Sequence, residues 1–182
     1  MIRFLDVLFS LLGLTLGLPV LVLLWLIVRW DTGSPLFRQQ RVGRNKQAFV
    51  LLKFRTMKPD TTSVATHLVD KSAITPFGQF LRSTKLDELP QLWNVLRGEM
   101  SMVGPRPCLF NQEELIAERE IRGVFEVRPG ITGLAQIQGI DMSTSSLLAD
   151  TDVQMIQTLT LLNYFRYLLL TPLGRGTGEH VK

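Results

Sequence analysis

The sequence predicts a mixed α/β, mainly helical fold that begins with a membrane-embedded segment. Residues 7–28 form an apolar run without a charged side chain, and about 20 such residues are the length of a bilayer-spanning helix. Two strand-like segments flank a turn between residues 36 and 54. Apolar residues then recur at helical spacing around residues 77–81 and 156–169.

The composition limits the organisation and the function classes. A chain of 182 residues accommodates one ordinary domain plus a membrane anchor, and we expect a membrane segment at residues 1–30, a folded domain at 31–173 and a flexible tail at 174–182. The net charge of +4 favours anionic partners such as nucleic acid, acidic lipid or phosphorylated small molecules. One cysteine, Cys108, excludes an internal disulfide, and two histidines make a histidine-rich zinc site improbable.

The apolar run carries Pro19 near its middle, with Gly13 and Gly17 just upstream. An interior proline removes a helical hydrogen bond and kinks the helix, which allows the chain to return to the face from which it entered. Basic residues are concentrated after the run, beginning with Arg29, and this bias places its C-terminal side in the cytoplasm. The residues themselves leave a spanning helix and a re-entrant helix equally open.

The segment after the apolar run is strongly cationic, with seven basic and no acidic residues at positions 32–59. Residues 36–42 and 47–54 flank a turn-like Gly-Arg-Asn-Lys cluster, so we expect a small β-hairpin. Lys53 and Arg55 alternate with apolar residues and therefore share one face, an arrangement that suits a phosphate group. For the hairpin's other basic residues, Arg38, Arg41, Arg44 and Lys46, a solvated or headgroup-binding face is an equally good interpretation.

Asp87 and Glu88 are adjacent carboxylates at the predicted start of an apolar helix. Pro90 is compatible only with the first turn of that helix, which places the helix start close to Asp87. One interpretation is that the two acids merely cap the helix and interact with its dipole. Neighbouring helical side chains point about 100° apart, so a catalytic pair would divide into different roles.

Two downstream loops carry arginines in rigid settings. Pro105 and Pro107 flank Arg106, and Arg128 precedes a Pro-Gly turn whose backbone amides form a candidate anion-binding nest. A guanidinium presents a planar fork to phosphate oxygens, so both loops are candidate anion clamps; the alternative is an ordinary surface arginine in a turn. The sequence has no GxxxxGK[ST] motif, so a nucleotide-hydrolysing P-loop is not supported.

Three further segments carry no candidate site residue. We expect a surface loop at residues 59–74 and a charged helix with a solvated face at residues 112–122. Beyond Asp152 an apolar stripe continues through Ile156, Leu159, Leu162, Phe165 and Leu169. A core helix and an interfacial membrane-surface helix both fit this stripe.

Four sequence blocks together resemble the bacterial sugar transferases, also called monotopic phosphoglycosyl transferases. They are KFRTM (53–57), KLDELPQ (85–91), MVGPRP (102–107) and RPGITG (128–133). The resemblance covers residues 4–171 and the chain is similar to the small form of the family, a catalytic domain with its membrane element. It implies transfer of a sugar 1-phosphate from a UDP-sugar to polyprenyl (undecaprenyl) phosphate with release of UMP, as the first membrane step of surface glycan assembly.

The resemblance also implies roles for individual residues. The aspartate that matches Asp87 is the nucleophile that forms a phosphosugar ester, and the glutamate that matches Glu88 assists it beside a magnesium ion. Carboxylate attack on phosphorus occurs in aspartyl-phosphate enzymes, and the carboxylate oxygens of Asp87 and Glu88 are ligands that suit Mg²⁺. The candidates for holding the substrate phosphates are Lys53, Arg55, Arg82, Arg106 and Arg128.

The family's membrane element is a re-entrant helix broken at a proline that matches Pro19, with both ends in the cytoplasm. The resemblance therefore implies an active site on the cytoplasmic face of the bacterial inner membrane, with amphipathic helices at the interface and a catalytic domain at residues 31–173. Many members have serine before that proline, where this chain has Leu18, so the serine's hydrogen bond to the broken backbone is absent.

The expected partners are a UDP-sugar, polyprenyl phosphate and membrane lipid, without nucleic acid, and the oligomeric state stays open, a homodimer included. The main alternative is a membrane-tethered, non-catalytic binder of acidic lipid or nucleic acid, which explains the basic segment but not the acidic pair. A second alternative is a polytopic transferase that acts in one step without a covalent intermediate. The single hydrophobic run argues against it.

Overall fold

The computed structural model describes residues 1–58 and 71–171, and over these residues the chain is mainly helical with two small two-stranded sheets. The helices are α1 (Ile2–Leu16), α2 (Leu18–Thr32), α3 (Pro76–Ser83), α4 (Gln91–Arg97), α5 (Glu113–Ile121), α6 (Leu134–Gln138), α7 (Ser145–Thr158) and α8 (Leu161–Leu170). The strands are β1 (Leu36–Val42), β2 (Ala48–Phe54), β3 (Ser101–Val103) and β4 (Gly130–Thr132). The mixed α/β, mainly helical class is confirmed.

The described residues divide into two compact units. The first holds residues 1–39, 50–58 and 71–97, and the second holds residues 40–49 and 98–171. The predicted boundaries at residues 30 and 173 separate a membrane segment, a folded domain and a tail, whereas the two compact units are defined by packing. The predicted boundaries therefore stay a prediction. The loop predicted at 59–74 lies outside the described residues except for a short 3₁₀ turn at Lys71–Ala73 and the residue after it, and the predicted tail lies outside them entirely.

Helices α1 and α2 are joined at Gly17 by a bend of 65°. No single described helix is both long and apolar enough to cross a membrane, and only this bent pair meets both criteria together. A Cβ at Gly17 would lie 2.3 Å from the carbonyl oxygen of Gly13, so the bend requires glycine. Pro19 lies in the first turn of α2, where its missing N–H removes no helical hydrogen bond. The predicted kink is present, and the break itself lies two residues before Pro19.

Helix α1 packs along α4 within the first unit. Asp6 and Ser10, the polar residues on the inner side of α1, are buried. A Cβ at Gly13 would lie 2.8 Å from Cδ1 of Leu92, so glycine lets the two helices approach closely. The helix that follows the acidic pair is therefore supported directly by the apolar N-terminal segment.

The core of the first unit fixes the backbone on both sides of the acidic pair. Leu24, Val28, Phe54 and Leu81 are buried together, and Leu86 and Leu89 are among the partly buried side chains packed against them. Each fully buried side chain of this kind contributes about 1.5–3 kcal/mol. Because Leu86 and Leu89 flank Asp87 and Glu88, the packing of α2, β2 and α3 determines where the two acids lie.

Strands β1 and β2 form the predicted small antiparallel hairpin. Its turn is a 3₁₀ segment in which Asn45 and Lys46 have positive φ values of 54° and 58°. Arg44 Nε donates to the carbonyl oxygen of Glu126 at 2.8 Å, and Lys46 pairs with Glu120. The solvated or headgroup-binding interpretation is wrong for Arg41, which is only 8% exposed, because its guanidinium binds backbone within the second unit.

The second unit is built around the parallel pair β3–β4, in which Ser101 lies opposite Gly130 and Val103 opposite Thr132. A separate hydrophobic cluster contains Val42, Cys108, Leu115, Ala135 and Leu148. Burial raises the pKa of the Cys108 thiol, although the neighbouring Arg119 guanidinium opposes this shift. The fully buried cysteine is therefore a packing residue in its neutral form.

The two C-terminal helices α7 and α8 divide the predicted apolar stripe. Thr160 caps α8 by accepting a hydrogen bond from the backbone N–H of Asn163 at 3.2 Å, which ends the continuous helical run. Tyr164 and Tyr167 are buried, whereas Leu162 is 79% and Leu169 is 69% exposed. The core interpretation is wrong for these two leucines, and the interfacial interpretation stays a prediction.

The charged helix predicted at residues 112–122 is confirmed as α5. Arg122 pairs with Glu118 one turn away at 2.6 Å, as expected for a solvated face. That expectation is wrong for Arg119, which is 1% exposed, because Asp152 of α7 neutralises it inside the second unit.

Candidate active site

Asp87 and Glu88 lie on a 3₁₀ turn, Leu86–Glu88, that begins after Lys85 with a positive φ of 59°. The α-helix itself begins at Gln91, one residue after Pro90. The prediction that the helix starts close to Asp87 is therefore wrong by about one turn. Leu89 N bonds to Leu86 O at 3.3 Å in the tighter 3₁₀ pattern, so the two acids precede the α-helix.

The tight turn brings both carboxylates to the same lysine, Lys53. Lys53 Nζ lies 2.7 Å from Glu88 Oε1 and 4.0 Å from Asp87 Oδ2. The Lys53 side chain is only 16% exposed, that of Glu88 is 14% exposed and that of Asp87 is 8% exposed. One ammonium group thus offsets part of the repulsion between two carboxylates in a site that is largely shielded from water, where such interactions are stronger than on the surface.

This donor set fits a magnesium ion. The oxygens of Asp87 and Glu88 both approach the same positive centre, the Lys53 ammonium, and carboxylate oxygens are the hard ligands that Mg²⁺ prefers. No group of three potential ligands among His, Cys, Asp and Glu occurs within residues 1–58 and 71–171. Mg²⁺ commonly binds through one or two carboxylates and completes its coordination with water and substrate phosphate.

Arg82, on α3, is held by Thr56, two residues after the end of β2. Its Nε donates to Thr56 Oγ1 at 2.9 Å, and its Nη1 is buried without a hydrogen-bond partner among the described residues. A buried donor without an acceptor costs about 1–3 kcal/mol, so this atom is suited to an incoming anion. Close packing of Gly78 on the strand end supports the arrangement, since a Cβ there would lie 2.1 Å from Thr56 O.

Arg55 contacts a different part of the first unit. Its Nε donates to the carbonyl oxygen of Ser34 at 3.1 Å, and its guanidinium carbon lies 5.7 Å from the ring centroid of Phe37. These contacts direct the side chain toward the start of β1. The role of Arg55 in phosphate binding stays a prediction.

Arg106 and Arg128 lie in the second unit, on two loops that run side by side. Strands β3 and β4 bring these loops together, and Gly130 approaches Gly104 so closely that a Cβ at Gly130 would lie 2.0 Å from Gly104 N. Arg128 Nε donates to Gly98 O at 2.8 Å. The two candidate anion clamps are therefore neighbours in space although about 20 residues separate them in sequence.

The loop that carries Arg106 is held by its carbonyl oxygens, because its two prolines have no N–H to donate. Three consecutive carbonyls each accept one hydrogen bond. Pro105 O accepts from Gly130 N at 2.9 Å, Arg106 O from Arg119 Nη1 at 2.8 Å, and Pro107 O from Arg41 Nη1 at 3.1 Å. Besides its two prolines, the loop is therefore held by the buried guanidinium groups of Arg41 and Arg119.

Arg119 is fixed by a buried ion pair. Its Nε and Nη2 lie 2.9 Å and 2.7 Å from Asp152 Oδ2, and both side chains are 1% exposed. Burial raises the pKa of Asp152, while the charged, hydrogen-bonded guanidinium opposes that shift. The pair connects α5 and α7 to the backbone beneath Arg106.

The structure thus gathers Lys53, Asp87 and Glu88 into one cluster. Arg55 and Arg82 lie in the same unit, and α3, the helix that carries Arg82, packs against the turn of the two acids. Arg106 and Arg128 lie in the other unit. Sequence reasoning missed the residues that hold these side chains in place: Thr56, Asn94, Arg119 and Asp152. A signal existed for Asn94, a carboxamide that stands between apolar residues in the middle of α4. The burial of Arg119 and Asp152 had no local signal, because each partner lies on a different helix.

The family model described as bacterial sugar transferase matches residues 1–175. The chain belongs to this family. The identification made from the four sequence blocks is confirmed, and the family is one of transferase enzymes.

Among the sugar transferases similar to this chain is the UDP-glucose:undecaprenyl-phosphate glucose-1-phosphate transferase of Caulobacter vibrioides, 37% identical over 93% of the chain and 67% of the relative. The exopolysaccharide production protein ExoY of Rhizobium meliloti is 36% identical over 87% of the chain and 78% of the relative. The UDP-galactose-lipid carrier transferase of Erwinia amylovora is 40% identical over 75% of the chain, which spans only 33% of that longer protein.

Proposed function

We propose that the protein transfers a sugar 1-phosphate from a UDP-sugar to polyprenyl phosphate through a phosphosugar ester of Asp87, and releases UMP. The observation that carries this proposal is the convergence of Asp87, Glu88 and Lys53 in a shielded site of a bacterial sugar transferase. The Caulobacter vibrioides relative, a UDP-glucose:undecaprenyl-phosphate glucose-1-phosphate transferase, supports the choice of donor and acceptor. Such a product would begin the assembly of a surface glycan.

In the first step, a carboxylate oxygen of Asp87 attacks the sugar-bearing phosphorus of the donor. The bond from that phosphorus to the bridging oxygen breaks, and UMP leaves with the electron pair. In the second step, an oxygen of polyprenyl phosphate attacks the same phosphorus. The bond to Asp87 breaks, which restores the carboxylate and yields a polyprenyl diphosphate sugar. Neither step requires an oxidant or reductant.

Lys53 and Glu88 support Asp87 in different ways. The Lys53 ammonium offsets the negative charge that an attacking carboxylate and a diphosphate bring together, and Glu88, at 2.7 Å, orients that ammonium. Asp87 and Glu88 would also hold Mg²⁺, which when bound neutralises diphosphate charge and stabilises the departing UMP. Asp87 and Glu88 thus have different roles, as expected for neighbouring side chains that point in different directions.

Arg82 is the strongest of the candidate phosphate-binding residues, because its buried Nη1 has no acceptor among the described residues. A guanidinium that offers an unused N–H in a low-dielectric setting binds phosphate oxygen by a charge-assisted hydrogen bond. Phosphate binding by Lys53, Arg55, Arg106 and Arg128 is proposed from the family resemblance. Arg106 and Arg128 share neighbouring loops, which suits two contacts to one diphosphate.

The bent pair α1–α2 forms the proposed membrane element, re-entrant, with both ends on the cytoplasmic face of the inner membrane. Large apolar side chains cover its outer surface, including Leu11, Leu16, Leu18, Val22, Leu23 and Leu26. Trp30, 92% exposed at the end of α2, suits the headgroup level. Because α1 packs on α4, this arrangement would hold the acidic pair where a soluble nucleotide sugar meets a lipid phosphate.

UMP release tests the proposed function and identifies the sugar. Purified protein in lipid nanodiscs, supplied with Mg²⁺ and undecaprenyl phosphate, is offered a panel of UDP-sugars. We expect continuous UMP release with at least one of them, and loss of release on Asp87→Asn. If no UDP-sugar yields UMP while the protein still binds anionic vesicles, the non-catalytic binder is the better account.

A further inference from the structure

Asn94 is a buried polar side chain in the otherwise apolar middle of α4, only 1% exposed. Its carboxamide oxygen accepts a hydrogen bond from the backbone N–H of Leu52 at 3.1 Å. Its carboxamide nitrogen donates to the carbonyl oxygen of Val50 at 2.7 Å. The side chain therefore bonds one donor and one acceptor on the same edge of β2, as a neighbouring strand would.

These two bonds lie next to the catalytic cluster. Leu52 directly precedes Lys53 on β2, and Asn94 lies on the helix that follows Glu88. The contact between Lys53 Nζ and Glu88 Oε1 at 2.7 Å joins the same two segments a second time. The Asn94 carboxamide thus fixes β2 on α4 close to the place where the Lys53 ammonium contacts the carboxylates of Asp87 and Glu88.

We propose that Asn94 is a positioning residue for the transfer reaction, which holds the backbone of β2 on α4 so that Lys53 lies between Asp87 and Glu88. This inference rests on the proposed function of those three residues. Asn94 acts through Lys53 and touches no substrate. A displacement of a reacting or supporting group by about 1 Å can lower a rate by about 100-fold, so loss of the two hydrogen bonds has a measurable effect.

A double-mutant cycle separates positioning from general stabilisation. The rate of phosphosugar ester formation is measured at a saturating UDP-sugar concentration for wild type, Asn94→Ala, Lys53→Met and the double variant. We expect Asn94→Ala to lower this rate by about 10-fold to 100-fold. In the Lys53→Met background the same change has little further effect, because the group that Asn94 positions is already gone.

Val95→Ala is the matched control. Val95 is the next residue on α4 and is fully buried, so its truncation lowers stability without removing a bond to β2. Rates are compared at a temperature where every variant is folded, as judged by circular dichroism. Asn94→Asp, which keeps an acceptor for Leu52 N–H but faces Val50 O with a carboxylate, enters the same cycle if Asn94→Ala does not fold.

The inference is wrong if Asn94→Ala lowers the rate equally in both backgrounds, or no more than Val95→Ala does. Failure of the proposed function looks different, because wild type then forms no ester. In that event, hydrogen exchange at the Leu52 amide decides whether Asn94 holds the strand. Faster exchange in Asn94→Ala than in Val95→Ala supports the positioning contact, and equal exchange overturns it.

Discussion

The buried pair of Arg119 and Asp152 predicts a large and specific loss of stability. Asp152→Asn removes the negative charge but keeps the shape of the side chain, and it leaves the Arg119 guanidinium buried without a counterion. Breaking a buried ion pair in this way costs about 3–5 kcal/mol. For a chain of this size that corresponds to a decrease in Tm of roughly 10 °C.

The chain supplies a matched control two residues away on the same helix. Asp150 pairs with Arg122, the residue that follows α5, at 2.7 Å, the same distance, but the Asp150 side chain is 62% exposed. Exposed ion pairs contribute about 0–1 kcal/mol, so Asp150→Asn is expected to change Tm by less than about 4 °C. Thermal unfolding in nanodiscs, followed by near-UV circular dichroism, compares the two variants.

The reasoning is refuted if Asp152→Asn and Asp150→Asn shift Tm by the same small amount. A further variant separates the buried charge from packing. Replacing both members, Arg119→Met with Asp152→Leu, removes the unpaired charge and is expected to recover at least half of the lost stability. If the double variant is less stable than Asp152→Asn, side-chain packing or the hydrogen bond to Arg106 O accounts for the loss.

The remaining predictions concern the thiol, the topology and the adjacent loops. Burial raises the pKa of the Cys108 thiol, so at a given pH Cys108 carries less thiolate than a free cysteine. We therefore expect iodoacetamide to modify Cys108 only after unfolding. Rapid labelling of the native protein would contradict its burial. Because the buried Cys108 does not react in the native protein, Ile2→Cys reports the topology of the N-terminal segment through a membrane-impermeant maleimide. Labelling only from the cytoplasmic side supports a re-entrant element. Labelling from the periplasm means that the segment crosses the membrane. Gly130→Ala places a Cβ 2.0 Å from the backbone of Gly104 and is expected to lower the unfolding free energy by more than about 3 kcal/mol. The control is Gly139→Ala, at a glycine with positive φ but open space around it, which is expected to cost about 1–2 kcal/mol. Equal losses in denaturant titrations would show that the backbone near Gly104 moves to accommodate the added Cβ.

Features governed by local chemistry were predictable from the sequence. The Gly-Arg-Asn-Lys turn between two strand-like segments gives the hairpin, and Pro19 with two upstream glycines gives the bend. The exact break is less accessible, because it depends on the close approach of Gly17 to the carbonyl of Gly13. Likewise, Pro90 indicates a helix start, but a 3₁₀ turn before it moves the α-helix to Gln91.

Features governed by tertiary pairing were not predictable from the residues alone. Arg41 and Arg119 look like surface cations in their local sequence, and only distant partners, Pro107 O and Asp152, make their burial possible. The same applies to Asn94, whose two hydrogen bonds reach a strand more than 40 residues away. The acidic pair shows the contrast most clearly, since the resemblance of the sequence blocks suggests its chemistry, which stays a prediction, whereas its contact with Lys53 required the fold.

The most direct test of the central claim is the intact mass of the protein after incubation with UDP-sugar and Mg²⁺ in the absence of polyprenyl phosphate. The account predicts added mass equal to one sugar phosphate, located on Asp87 by peptide mapping and lost when polyprenyl phosphate is supplied. Asp87→Asn should acquire no such mass. Full turnover by Asp87→Asn, or an adduct on another residue, would contradict the proposed mechanism.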